Sequence, residues 1–185
     1  MKGLRGIAAR RPLAAGVELI RPMLRVTRAE VLAYLASVGQ SFREDASNQY
    51  RRYTRNRIRH ELLPHLAEQY NPAIVAVLCR LAEGVGEFYQ AYEAEAAALL
   101  AAAEKPRAGG WVVLDRACLA QAPRHRIREV FRLIWTRENW PQNRMSFPAW
   151  DRLADLAGGA VGAVDLPGGV RARCRERVVL LGRDL

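Results

Sequence analysis

The sequence predicts a mainly α protein, a helical bundle with a short N-terminal strand and a small α/β region at its C-terminal end. Two patterns carry that expectation. From Thr27 to Leu99 the apolar residues recur mostly at steps of three and four, the period of helices with one buried stripe. Period-two alternation is confined to short runs near the two ends. With 185 residues, 50% of them hydrophobic, the chain is long enough for a real core, as one domain or two small ones.

Residues 1–16, basic and rich in Gly, Ala and Pro, read as loop. Val17 to Arg21 reads as a short strand stopped by Pro22. Thr27 and Glu30 form a capping box ahead of Val31, Leu32, Leu35 and Val38, and Gly39 closes that helix. Across Arg55 to Leu66 the residues Ile58, Leu62 and Leu66 recur every fourth position, which predicts one buried stripe. Pro72 opens a longer helix in which Ile74, Leu78, Leu81, Val85, Phe88, Tyr92, Ala96 and Leu99 make a coiled-coil-like seam, expected to pack inside the bundle. Gly84 and Gly86 weaken it locally.

Lys105 to Gly110 reads as a loop and as the best boundary between domains. Trp111 to Leu114 is a short extended piece, with Asp115 placed to cap a helical turn. Pro123 to Asn139 predicts a helix with Ile127, Val130, Phe131 and Ile134 inward, and with Arg124, Arg128 and Arg132 in a stripe at every fourth position. Ser146, before Phe147 and Pro148, marks the start of another short helix. Beyond Gly158-Gly159, Val161 to Val164 and Val170 to Leu181 read as extended, and period two puts Arg171, Arg173, Arg175 and Arg177 on one face. Either basic row suits phosphate contact. A solvated helix face and a charge-guarded edge strand explain the two rows as well.

The net charge of +10 favours an anionic partner. Residues 1–72 carry 13 basic against 6 acidic side chains, residues 73–110 carry 3 against 5, and residues 111–185 carry 13 against 8. Two basic ends thus flank an acidic middle. Cys79, Cys118 and Cys174 are far apart and form no Cys-x-x-Cys, which argues against a zinc ribbon or a disulfide framework and fits a reducing cytoplasm. No metal site is expected within this chain. No long apolar run or signal peptide is visible, so membrane spanning and secretion are not expected.

The segment Glu44 to Pro64, EDASNQYRRYTRNRIRHELLP, is the part that points to chemistry. Asp45, Ser47 and Asn48 are turn formers whose side chains bond nearby backbone N–H groups and so build a rigid loop. In the helix behind it, Arg55 and Arg59 lie four apart and point the same way. Asn56 sits beside them at the helix start, where unpaired N–H groups and the helix dipole favour an anion such as phosphate.

That segment resembles the central signature of tRNA(Ile)-lysidine synthetases, ATP-dependent ligases that attach lysine to the wobble cytidine of an isoleucine tRNA. The matching residues are Asp45-Ala46-Ser47-Asn48, Arg55-Asn56-Arg57-Ile58-Arg59 and Leu62-Leu63-Pro64. Gly3-Leu4-Arg5-Gly6 and Ile20-Arg21-Pro22-Met23-Leu24 resemble the end of that family's catalytic domain. Leu166-Pro167-Gly168-Gly169 resembles its tRNA-facing region. The family's nucleotide site is a Ser-Gly-Gly-x-Asp-Ser loop, and none of the glycine pairs here, Gly109-Gly110, Gly158-Gly159 or Gly168-Gly169, stands in that context.

The resemblance implies the C-terminal portion of a longer ligase, inactive by itself, with ATP and Mg held by the N-terminal domain. It implies residues 1–26 as the end of the PP-loop nucleotide domain, 27–107 as a helical central domain and 108–185 as a tRNA-binding domain. Arg55, Asn56, Arg59, Asp45 and Asn48 would form a wall of the active site, the two arginines meeting phosphate or developing charge while Asp45 and Asn48 hold the loop. Arg124, Arg128, Arg132, Arg171, Arg173 and Arg175 would contact RNA. The partners implied are tRNA(Ile) and free lysine in the cytoplasm, without membrane and with a homodimer left open. Two other readings stay open: a standalone RNA-binding module, and part of another PP-loop tRNA-modifying enzyme.

Overall fold

The computed structural model describes residues 3–183, and the ends of the chain assigned above to the first and last domains, Met1, Lys2, Asp184 and Leu185, lie outside them. The chain divides into two compact units, the first ending at Tyr89 and the second starting at Gln90. Both units hold an antiparallel sheet, so the mainly α expectation is corrected: this is a mixed α/β protein with one two-stranded and one five-stranded sheet.

In the first unit β1 (Arg10–Ala14) pairs antiparallel with β2 (Val17–Ile20), the turn closing at Gly16 with φ 71°. The first of these strands lies in the stretch expected to be loop, which is corrected here. Every residue of β1 is exposed, so it lacks the alternation that marks a half-buried strand. Helix α1 (Arg28–Ser37) begins as expected, with Thr27 accepting from the Glu30 N–H and Glu30 accepting from Thr27. The capping box thus satisfies donors the helix start leaves open. A 3₁₀ turn at Ala46–Gln49 follows, then one helical run made of α2 (Thr54–Arg57), a π-turn at Ile58–Leu62 and α3 (Leu63–Gln69).

The stripe expected to be buried on that run is not. Ile58 is 42% and Leu62 48% exposed, and among the described residues of this unit only Asn56 and Tyr89 are buried. A helical stripe goes inside only where a second layer covers it, and the described residues of the unit supply none over this one. Helix α4 (Ile74–Ala103) contains the division between units. Its Leu78, Leu81 and Phe88 are exposed, whereas Ala96, Leu100 and Ala103 enter the core of the second unit. The expected seam is therefore filled only toward its C-terminal end.

The second unit is built around the sheet β3-β4-β7-β6-β5, antiparallel throughout. Its strands are β3 (Glu104–Ala108), β4 (Trp111–Asp115), β5 (Ala163–Leu166), β6 (Val170–Arg175) and β7 (Val178–Arg183). Helices α5 (Arg116–Ala120), α6 (Arg124–Arg137) and α7 (Phe147–Gly158) supply the other layer. Ile127, Val130, Phe131 and Ile134 of α6 meet Trp150, Leu153 and Leu156 of α7 and Val112, Leu114, Val164, Val170, Val179 and Leu181 of the sheet in one buried cluster.

Two strands here escaped the sequence reading. The stretch Lys105 to Gly110 is expected to be loop, but Glu104–Ala108 is an edge strand, where a proline and exposed charged side chains are tolerated. Val170 to Leu181 looked like one strand and is two, folded at Glu176, which takes φ 47°. No glycine or asparagine announces that turn. The expected starts elsewhere hold: Asp115 accepts from the Ala117 N–H at 2.9 Å and Ser146 from the Ala149 N–H at 3.4 Å.

Candidate functional site

The signature segment folds as a loop tied to the helix that follows it. Asp45 caps the 3₁₀ turn by accepting from the Ser47 N–H at 2.8 Å. Hydrogen bonds from Ser47, side chain first and then backbone, hold the Asp45 carboxyl below the usual carboxylate range. Asn56, 6% exposed, turns inward and donates from its side-chain amide to the Ser47 carbonyl at 2.9 Å and the Tyr50 carbonyl at 3.0 Å. One nitrogen thereby adds a second hydrogen bond to two carbonyls that also accept from the Tyr50 and Tyr53 backbone N–H groups. His60 lies 3.2 Å through Nε2 from the Asn48 carbonyl. Loop and helix are thus joined at Ser47, Asn48 and Tyr50.

Arg55 and Arg59 stand exposed on the helix whose other residues anchor this loop. Between them the π-turn begins at Ile58, so the register is not that of a straight α-helix; such turns recur at functional sites. The structure brings Asp45, Asn48 and Asn56 together and leaves the two guanidiniums facing solvent beside them. Three features of this region went unread in the sequence. Arg51 pairs with Glu61 at 2.9 Å. The Arg52 guanidinium lies 5.2 Å from the Tyr50 ring and 4.9 Å from the Tyr53 ring. An open groove of about 410 Å³ is lined by Thr54, Arg57, Ile58, Glu61, Leu62 and His65. Their recurrence at steps of three and four was the available signal.

In the second unit the two basic rows differ. Arg124 donates to Asp151 at 3.0 and 2.7 Å and to Asp155 at 2.6 Å, and Arg128 donates to Asp151 at 2.7 Å. Arg132 lies over the Trp150 ring at 5.3 Å and 3.9 Å from Glu129. This row braces α6 against α7. The hydrogen bonds from Arg124, then Arg128, hold the Asp151 carboxyl down at about 2. The strand row is more open: Arg171 and Arg175 are exposed, and Arg171 meets Asp165 at 2.9 Å. Arg173 lies 5.8 Å from the Trp111 ring.

The residues described here do not fit an ATP–magnesium site. Among them no group of three or more His, Cys, Asp and Glu side chains is placed to hold a metal ion, and the loop at Asp45 lacks the run of glycines that cradles a triphosphate. Arg55 and Arg59 supply positive charge but no such cradle. Among the described residues no helix is long and apolar enough to cross a membrane.

Comparison with known proteins gives first a class. Residues 1–66, which include the hairpin, the anchored loop and both Arg55 and Arg59, match the family model ATP_bind_3, described as a PP-loop domain. It then gives a family. A tRNA(Ile)-lysidine synthase of Symbiobacterium thermophilum is 34% identical over 187 aligned residues, covering 94% of this chain and 39% of the relative. That of Rhodopirellula baltica is 31% identical over 170, covering 83% of this chain and 43% of the relative. That of Solibacter usitatus is 44% identical over 81, covering 44% and 18%. The resemblance seen in the signature therefore extends along nearly the whole chain, which is a relative of the tRNA(Ile)-lysidine synthases. It spans less than half the length of these curated relatives.

Proposed function

We propose that this chain is the tRNA-binding and active-site-completing part of an ATP-dependent ligase that attaches free lysine to the wobble cytidine of tRNA(Ile). The observation that carries the reading is the Asn56 anchor, which fixes the signature loop to the helix bearing Arg55 and Arg59. ATP, when bound with Mg by the nucleotide domain, supplies the activation that turns a cytidine carbonyl oxygen into a leaving group. The residues of this chain do the holding. Arg55 and Arg59 meet phosphate or the charge that develops on the flipped nucleotide, and a fixed cation is worth most where charge appears only in the transition state. Asp45, Asn48 and Asn56 keep the loop in place.

RNA contact falls first to Arg171, Arg173 and Arg175. Arg124, Arg128 and Arg132 serve it by bracing α6 on α7, since three of the groups facing them are carboxylates. In this reading residues 1–26, 27–107 and 108–185 are the end of the nucleotide domain, a central domain and a tRNA-binding domain, and the work is cytoplasmic. The test is lysine incorporation into a tRNA(Ile) transcript. The 185-residue chain alone is expected to incorporate none, for want of a nucleotide loop, and to gain activity with a docked nucleotide domain. Incorporation by the chain alone would overturn that division of labour.

A further inference from the structure

The open face of the five-stranded sheet holds an aromatic residue that none of the roles above uses. Paired residues of neighbouring strands share a face, so the register places Arg171, Arg173 and Arg175 of β6 beside Gly182, Leu180 and Val178 of β7. Leu180 and Val178 stand in turn beside Val113 and Asp115 of β4, and Val113 beside Lys105 of β3. The opposite face carries Val112, Leu114, Val170, Ala172, Val179 and Leu181, all buried in the core. On the first face Arg171 and Arg175 are exposed, Trp111, Asp115, Arg173, Val178 and Leu180 are partly exposed, and Val113 and Gly182 are buried among them.

Trp111 lies on this open face, at the end of β4. A Cβ added to Gly182 would come within 2.7 Å of Trp111 Cδ2 and 2.8 Å of Cε3, so the indole rests directly on the glycine backbone, in space no other residue would leave. The Arg173 guanidinium carbon stands 5.8 Å from the ring centroid, beyond the roughly 3.5–4 Å of a close stacked contact, and Trp111 stays partly exposed. The other three tryptophans, Trp135, Trp140 and Trp150, belong to or pack against the core. Charge on the face is unbalanced toward positive. Asp165 faces Arg171 at 2.9 Å and Asp115 faces Lys105 at 3.3 Å, while Arg173 and Arg175 add cations beyond those pairs.

We propose that Trp111, seated on Gly182 and flanked by Arg173, is a stacking platform for unpaired nucleotides of an RNA on the open sheet face, with Arg171, Arg173 and Arg175 taking the phosphates. This rests on the tRNA reading above and extends it to a residue and a substrate form. Bases stack on indole and guanidinium planes only when their faces are free. A duplex keeps those faces inside its own stack and would meet the arginines alone. The row of arginines on β6 lies two strand spacings, roughly 10 Å, from β4, which leaves room for a nucleotide with its base on Trp111 and its phosphate toward β6.

The experiment uses the 185-residue chain and fluorescence anisotropy with two probes, a short fluorescein-labelled single-stranded RNA and a hairpin RNA of the same composition. Trp111→Ala should weaken the single strand by about tenfold, the loss of one stacked base, and leave the hairpin nearly unchanged. Gly182→Ala, which displaces the indole without removing it, should act in the same direction, and Trp111→Phe should restore most of the affinity. Circular dichroism and melting temperature confirm that each variant is folded. Unchanged single-strand affinity in both Trp111→Ala and Gly182→Ala, or equal losses on the two probes, overturns the proposal. Binding of a tRNA(Ile) transcript by the parent chain is measured alongside. If the parent binds tRNA while Trp111→Ala changes nothing, only the platform fails; if the parent binds the single strand but no tRNA, the tRNA reading fails and the platform stands.

Discussion

The side-chain amide of Asn56 donates a 2.9 Å hydrogen bond to the carbonyl of Ser47, nine residues earlier in the chain. With its second bond to Tyr50, this makes a buried amide the pin between the signature loop and the helix that carries both candidate arginines. Both carbonyls keep a backbone N–H donor without it, so replacing Asn56 costs the two side-chain hydrogen bonds themselves, about 1–3 kcal/mol together.

Asn56→Ala is therefore expected to loosen the loop by that amount while the second unit melts as before. Asn56→Asp should be worse, because a carboxylate would face two carbonyl oxygens. Hydrogen exchange of the amides from Asp45 to Tyr53 measures it. Unchanged protection in both variants would mean the loop is held by other contacts.

Arg55→Ala and Arg59→Ala, made in the complete enzyme, should lower lysine transfer by about 100-fold, as for loss of one group that stabilises developing charge, with far smaller losses in tRNA affinity. Arg171→Ala and Arg175→Ala should do the reverse. Single-turnover transfer and equilibrium binding, measured on the same variants, separate the two. Equal losses in both assays across all four variants would reduce these arginines to one generic electrostatic surface.

Affinity of the chain for tRNA should fall steeply with salt, by roughly a thousandfold between about 50 and 200 mM if six or more phosphates are contacted. Filter binding across that range checks it, and a flat response removes RNA from the account. The charge excess at both ends of the sequence is the source of the expectation.

The Arg124–Asp151–Arg128 brace gives a pH dependence with a definite sign. Asp151 is held at about 2 in the folded chain against an ordinary value of 3.8. A lowered carboxylate stabilises the fold above its unfolded value and stops doing so as pH falls through its folded value. The melting temperature of Asp151→Asn should thus lie below that of the parent above pH about 4, and the gap should close as pH falls from there toward about 2. A gap that persists unchanged at the lowest pH would show that the carboxylate charge is not what the brace uses.

The sequence was most informative where one local rule acted alone. The Thr27 capping box, the Asp115 and Ser146 caps and the inward set Ile127, Val130, Phe131 and Ile134 each follow from neighbours a few residues away. The sheets were less legible, because β1 and β3 are edge strands with little burial pattern and the turn at Glu176 lacks a turn residue. Exposure of Ile58 and Leu62 could not be read at all, since periodicity shows which face a helix offers and says nothing of whether another layer meets it. In the candidate site the loop formers Asp45 and Asn48 were legible from residue type. The inward turn of Asn56 and the contact of His60 with Asn48 depend on how the loop folds back, which residue spacing does not encode.

The most direct test of the central claim is a chimera of the Symbiobacterium thermophilum lysidine synthase, in which the 39% of its length that aligns with this chain is replaced by the chain itself. ATP-dependent incorporation of radiolabelled lysine into a tRNA(Ile) transcript is measured, with the wobble cytidine present or changed to uridine. The account predicts incorporation that needs the cytidine and is lost with Arg59→Ala. A chimera that is folded and binds tRNA but incorporates no lysine would contradict it.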